Sequence, residues 1–221
     1  MDSFLAFPLN IMPFVILALI IAFTVHEFAH AFVADRFGDS TPRDQGRVTL
    51  NPVSHLDIFG TLLVLIAGFG WAKPVMVNRR NFKYPRLMSL VVSAAGPISN
   101  WVIAFIGLVA YMYLMKHGVL SGWSEGASEA VFTFLSLLVG LNMMLFVFNL
   151  IPLPPLDGYR IVFELLPSML RARLVQYEQW SIFIFLLLVF IPPLNRVTIG
   201  PIMAWQSDLI QVMQAWISPW I

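Results

Sequence analysis

The stretch Phe23-Thr24-Val25-His26-Glu27-Phe28-Ala29-His30 places two histidines four residues apart, with a glutamate directly after the first. On an α-helix, positions four apart share a face, so His26 and His30 can address one metal ion. Neutral imidazole is a good Zn²⁺ ligand, and two donors one turn apart suit a tetrahedral site. Glu27 stands beside the first ligand, where a carboxylate can take a proton from a polarised water. The chemistry this pattern can do is metal-assisted hydrolysis. Such a pattern also arises by chance on solvated helix faces, where His and Glu simply meet water. Here the apolar run 11–25 leads straight into it. At membrane depth a charged side chain costs roughly 2.5–3.5 kcal/mol on insertion scales, and a metal is the natural compensating partner.

The elements that must position these residues are membrane helices. Of the 221 residues, 59% are hydrophobic and 11% charged, against roughly 25% charged in an average soluble domain. The expected fold is all-α and polytopic, with four to five transmembrane helices, a re-entrant segment and a small β-hairpin near the active site. A single membrane-embedded domain is expected over 1–221, with its core at 11–168 and C-terminal helices at 174–221. The net charge of +1 gives no field that would select nucleic acid. With no cysteine, disulfides and thiolate metal ligands are excluded. Residues 1–10 lack the basic start of a signal peptide, so the motif-bearing run is expected to be retained.

The first span is expected at 11–37, with Pro13 tolerable in its first turn and Gly38 as its stop. The polar stretch 39–57 follows, in which Arg47-Val48-Thr49-Leu50 alternates like a short strand; a plain surface loop fits it equally well. Residues 58–70 are apolar but number only thirteen. As a helix they would rise about 20 Å, short of the roughly 30 Å hydrocarbon core, so a re-entrant segment is expected. A second span is expected at 87–115, where Ala94-Ala95-Gly96-Pro97 permits close helix approach. Asn100 within it suits either a helix–helix hydrogen bond or the lining of a site. A third span, 130–150, ends in Asn149-Leu150-Ile151-Pro152-Leu153-Pro154-Pro155-Leu156-Asp157-Gly158. Its prolines break the helix, and broken backbone at membrane depth needs protein or a cavity around it. A fourth apolar run covers 174–193, and the Trp-rich tail 199–221 suits a span or an interfacial helix.

Charge bias sets the expected topology. If 58–70 dips in and returns, eleven of the thirteen basic residues share one face, leaving only Lys116 and Arg196 opposite. The positive-inside rule makes that face cytoplasmic, with the active site toward it. The protein is therefore expected to be a multi-pass protein of the cell membrane.

A catalytic zinc usually takes three protein ligands and a water. The candidates for the third are His55, His117, Asp157 and the other acids. His117 falls in the loop assigned to the outer face, and His55 lies in a polar stretch. Asp157 combines membrane depth, a helix break and a following glycine, and is favoured.

The sequence resembles the site-2 proteases, which are intramembrane zinc metalloproteases. His26-Glu27-Phe28-Ala29-His30 matches their zinc motif, and Asn149 through Asp157-Gly158 is similar to their second motif. Ala95-Gly96-Pro97-Ile98-Ser99-Asn100 resembles a further family segment. The resemblance implies one Zn²⁺ per chain on His26, His30 and Asp157, with Glu27 as the catalytic base. It implies that Asn149 lines the site and holds substrate or oxyanion, and Asn100 is placed with it. It implies an endopeptidase acting within or next to transmembrane segments of other proteins, with membrane lipid and a membrane-protein substrate as partners and no nucleic acid. The PDZ or CBS domain that many relatives carry does not fit in this chain, so a compact form is expected. The alternatives are a non-catalytic zinc-binding membrane protein or transporter-like scaffold, and a membrane metallohydrolase acting on lipid or a prenylated peptide. A scaffold has no need of a base beside the first histidine.

Overall fold

The computed structural model describes residues 6–67 and 70–221, and among these there are ten α-helices and no strand. Three long helices form the centre: α1 (Met12–Arg36), α4 (Pro85–Lys116) and α5 (Glu125–Asn149). All three are long and apolar enough to cross a membrane. Between α1 and α4 lie the one-turn α2 (Thr41–Asp44) and the short α3 (Ile58–Ala67). After α5 come α6 (Asp157–Leu165), α7 (Ser168–Val175), α8 (Glu178–Phe190), α9 (Pro192–Val197) and α10 (Ile199–Ile217). The pair α7 and α8, bent by 72°, can supply a fourth span. Against the four or five spans expected from the sequence, three helices among the described residues, or four with the bent pair, are long and apolar enough to span. The thirteen residues of α8 reach only about 20 Å. The 19-residue α10 is not among the apolar candidates; Gln206, Asp208, Gln211 and Gln214 lower its apolarity.

Local sequence explains how α1 starts and stops. Pro13 sits in the first turn, where its missing N–H is not needed. At the other end Gly38 adopts φ 97°. Asp39 N–H then bonds Ala34 O and Gly38 N–H bonds Asp35 O, the paired bonds of a Schellman stop. The buried stripe of α1 runs Val15, Ala18, Leu19, Ala22, and continues through His26 and His30. The motif thus lies on the core-facing side of the helix. Leu138, Leu141 and Leu145 of α5 and Val64 of α3 pack against this stripe. The buried face of α4 is built of small residues, including Ser93, Gly96, Ala104 and Gly107. A Cβ on Gly107 would come within 3.1 Å of Val139, so glycine lets α4 and α5 approach closely.

The two flanks of the segment 58–70 lie close together. Residues 68–69 lie outside the described residues, but both flanks are clear. From α3, the Leu65 carbonyl accepts from Ala6 N–H, ahead of α1, and Val64 joins the core cluster of α1 and α5. Gly70 then returns to Gly60: a Cβ on Gly70 would lie 2.0 Å from the Gly60 carbonyl oxygen, and one on Gly60 2.1 Å from that of Trp71. The ends of the excursion are joined, because Lys73 N–H bonds His55 O at 2.8 Å. Asp39 ties the same layer to the start of α4. Its carboxylate accepts from Thr41 N–H and Oγ1, Asn78 N–H and Asn81 Nδ2. Burial pushes the Asp39 carboxyl up, but these bonds outweigh it and hold it below the ordinary carboxylate value. Its contribution to stability is therefore present above the unfolded-state value, about 3.9, and fades as pH falls through the lower folded one.

Arg47-Val48-Thr49-Leu50 forms no strand. The alternation there has another cause. Arg47 is 3% exposed and turns inward, bonding the carbonyls of Ser54 and Lys73, while Leu50 points out.

The Lys73–His55 bond sets the two flanks of α3 side by side, so both are expected on one side of the membrane. Single cysteines at Ser54 and Asn81 in this cysteine-free chain should therefore react with an impermeant thiol reagent from the same side. Labelling from opposite sides would mean that 58–70 spans.

Candidate active site

α1 and α4 run antiparallel, which sets His26 beside Asn100 and His30 beside Val92. His26 Nδ1 lies 2.6 Å from Asn100 Oδ1, and His30 Nδ1 lies 2.7 Å from the Val92 carbonyl oxygen. Both partners are acceptors, so each Nδ1 carries its proton and donates. A helical carbonyl retains a second lone pair, so Val92 can accept this bond without leaving its helix. The consequence falls on the other ring nitrogen: each Nε2 keeps a lone pair. Asn100 is itself held by Nδ2 bonds to Ala22 O and Asn142 Oδ1. Asn142 in turn donates to Leu138 O within α5. A chain of amides through three helices thus orients one imidazole.

Asp157 arrives from the opposite wall. α5 ends at Asn149, the prolines turn the chain, and Asp157 is the first residue of α6. Gly158 permits this reversal, since a Cβ there would lie 2.2 Å from the Leu150 carbonyl oxygen. The far end of α6 is fixed by Glu164, which pairs with Arg79 at 2.9 Å and Arg171 at 3.3 Å. Arg86 from α4 bonds the Glu164 and Leu166 carbonyls at that same end. Cations there match the negative end of the helix dipole.

The three groups meet. His26 Nε2 and His30 Nε2 are 3.1 Å apart, and each is 3.2 Å from Asp157 Oδ2. Tetrahedral Zn²⁺ with bonds of about 2.0–2.1 Å needs ligand atoms about 3.3–3.4 Å apart. The triangle is within a few tenths of an ångström of that geometry, and its three atoms are all electron-pair donors. Gly96 leaves the space they face: a Cβ there would lie 2.3 Å from His30 Nε2 and 2.6 Å from His26 Nε2. His26, His30 and Asp157 can therefore form a metal site, and a tetrahedral divalent ion fits the donor set.

Glu27 is also buried, and its Oε2 accepts from Val75 N–H at 3.1 Å. Val75 belongs to the non-helical stretch that returns from α3. A cavity of about 720 Å³ opens beside these groups, within the usual range of ligand pockets, roughly 300–1,000 Å³. Its walls include Glu27, both histidines, Asp157 and Asn149, with apolar surface from Val75, Phe148, Ile182 and Phe185.

Not every sequence candidate arrives in the same role. Asn149 reaches the cavity wall, with Nδ2 bonded to Leu145 O. Asn100 does not: it is 0% exposed and its amide is fully engaged with protein partners. In this arrangement its place is behind His26. His55, also 0% exposed, bonds Thr49 O and belongs to the loop scaffold. His117 follows the last turn of α4, about 25 Å along the helix from Asn100. Sequence reasoning passed over Gly96 as a part of the site, Arg47, Asn142 and Glu164. Gly96 stood in a small-residue cluster read as helix packing. Asn142, an amide in an otherwise apolar span, was the signal available for the hydrogen-bond chain.

Residues 14–192 match peptidase family M50. The chain is 47% identical over 222 residues to "Putative zinc metalloprotease YwhC" of Bacillus subtilis, covering 99% of each. It is 31% identical to "Putative zinc metalloprotease Rip2" of Mycolicibacterium smegmatis, over 82% of this chain and 68% of that one. The Mycobacterium tuberculosis protein of the same name is 32% identical over 88% of this chain and 73% of its own. No solved structure matches the chain. With the family match running from the motif helix past Asp157, this chain belongs to peptidase family M50, the site-2 proteases.

Proposed function

We propose that the protein is a zinc-dependent endopeptidase that cuts peptide bonds within or next to transmembrane segments of other membrane proteins. One observation carries the reading: three electron-pair donors converge within 3.2 Å of one another beside a carboxylate, at the wall of an apolar cavity. His26, His30 and Asp157 hold the ion, and Asn100 and the Val92 carbonyl fix the imidazoles behind it. Zinc supplies Lewis-acid polarisation of the scissile carbonyl and of the attacking water. Glu27 takes the proton of that water and passes it to the departing amine. Asn149, on the cavity wall, is placed to hold the substrate backbone.

A substrate helix hides its carbonyls in its own hydrogen bonds and must unwind locally to be cut. The non-helical stretch around Val75 passes beside Glu27 and offers backbone groups to an extended peptide. The apolar walls favour a membrane-derived segment over a soluble one. The charge bias supports a cytoplasmic position for the face that carries the site, in a single membrane-embedded domain.

Purified protein should hold about one zinc per chain, and His26→Ala/His30→Ala should hold none. Gly96→Ala should also lose the metal, because its methyl group enters the donor triangle. Asn100→Ala should weaken zinc binding by about 10–100-fold, as loss of an orienting partner does at other zinc sites. Full zinc retention in the double histidine variant would remove the site assignment.

Glu27→Gln keeps the shape of the side chain but cannot accept a proton. Zinc should stay, and cleavage of a co-expressed single-span reporter should fall by at least about 100-fold. Undiminished cleavage would exclude Glu27 as the base.

A further inference from the structure

Arg47 is a charged side chain almost wholly shut off from solvent, with no bond to the metal donors among the described residues. It is 3% exposed. Its Nη1 donates to the Ser54 carbonyl and its Nη2 to the Lys73 carbonyl, one on each flank of the α3 excursion. Nη2 also lies 3.8 Å from Glu27 Oε2. The same Oε2 accepts the Val75 N–H, two residues beyond Lys73. Glu27 Oε1, by contrast, makes no hydrogen bond to protein among the described residues. The two carboxylate oxygens are therefore not equivalent. One is tied to the returning stretch by a backbone amide and faces a guanidinium. The other is left for the cavity.

A carboxylate on a flexible side chain has several rotamers, and only one points a given oxygen at a water. A buried cation fixed by two carbonyls is a rigid partner, because guanidinium donors leave in a fixed planar fork. We propose that Arg47 is a positioning residue for Glu27: it clamps the neck of the re-entrant segment and, with Val75 N–H, holds Oε2 so that Oε1 is the proton-accepting oxygen. The loop and the base thereby become one unit, and a shift of the neck would move the base. This rests on Glu27 acting as the base.

Two measurements test it. The first needs no substrate: thermal unfolding of wild type, Glu27→Gln, Arg47→Gln and the double variant, all zinc-loaded in one detergent. Removing one member of a buried pair leaves the other uncompensated, so the double variant should lose less than the sum of the single losses. Additive losses would overturn the proposal. The second uses a single-span reporter cut by wild type. Arg47→Gln should retain its zinc and its KM, while kcat falls by about 10–100-fold, as for a misplaced catalytic group. Arg47→Lys, which keeps the charge without the fork, should recover part of that loss. An unchanged kcat in Arg47→Gln, or lost zinc as the cause of inactivity, would also overturn it. If instead Glu27→Gln still cuts the reporter, the reading of Glu27 as base fails, and the unfolding cycle still reports whether the pair is coupled.

Discussion

Three electron-pair donors within 3.2 Å of one another repel in an apolar setting unless a cation lies between them. The rest of the structure can be understood as the means of holding them there. The imidazoles cannot turn away, because each Nδ1 is bonded to α4. The carboxylate cannot withdraw, because α6 is pinned at its far end by Glu164 among arginines and at its near end by Gly158 lying on the end of α5. Three spans and one short helix converge on a volume kept open by the missing side chain of Gly96.

The second constraint is the bilayer, where each unpaired backbone group is costly. The chain leaves helical geometry in two places near the site. At 150–156 the break is covered by α6 and by the cluster of Ile151 and Leu156 with Phe185 and Ile199. Around α3 it is met by the Lys73–His55 bond and by Arg47, which satisfies two further carbonyls. Buried polar groups here serve backbone first and chemistry second. The same residues therefore bear on stability and on the placing of Glu27.

Membership of the M50 peptidases sets this chemistry within a family of membrane metalloproteases, and the donor geometry agrees with it. The cavity wall also takes Ile182 and Phe185 of α8, within the family match, and Ile199 and Met203 of α10, beyond it.

By itself the sequence determined the elements that depend on local chemistry. The His-Glu-x-x-His spacing is a property of one helix, so the metal chemistry was legible without a fold. Apolar length placed α1, α4 and α5, and Gly38 marked the end of α1. The proline run before Asp157 marked a break where an acid could be presented. What only the tertiary structure decided are relations between distant segments. Arg47 read as one basic residue among eleven on a polar face, because composition cannot tell a solvated guanidinium from one turned inward onto two carbonyls. Asn100 read either as a helix–helix hydrogen bond or as the lining of a site, because an amide in a span looks the same whether it faces a cavity or the back of a histidine. The strand or plain loop expected at Arg47–Leu50 rested on an alternation that a buried Arg47 and an exposed Leu50 also produce. The fate of α3 rested on a hydrogen bond between His55 and Lys73, residues that no periodicity connects. In each case the deciding quantity is a distance across the fold, and such distances are set by the packing of α1, α4, α5 and α6 together.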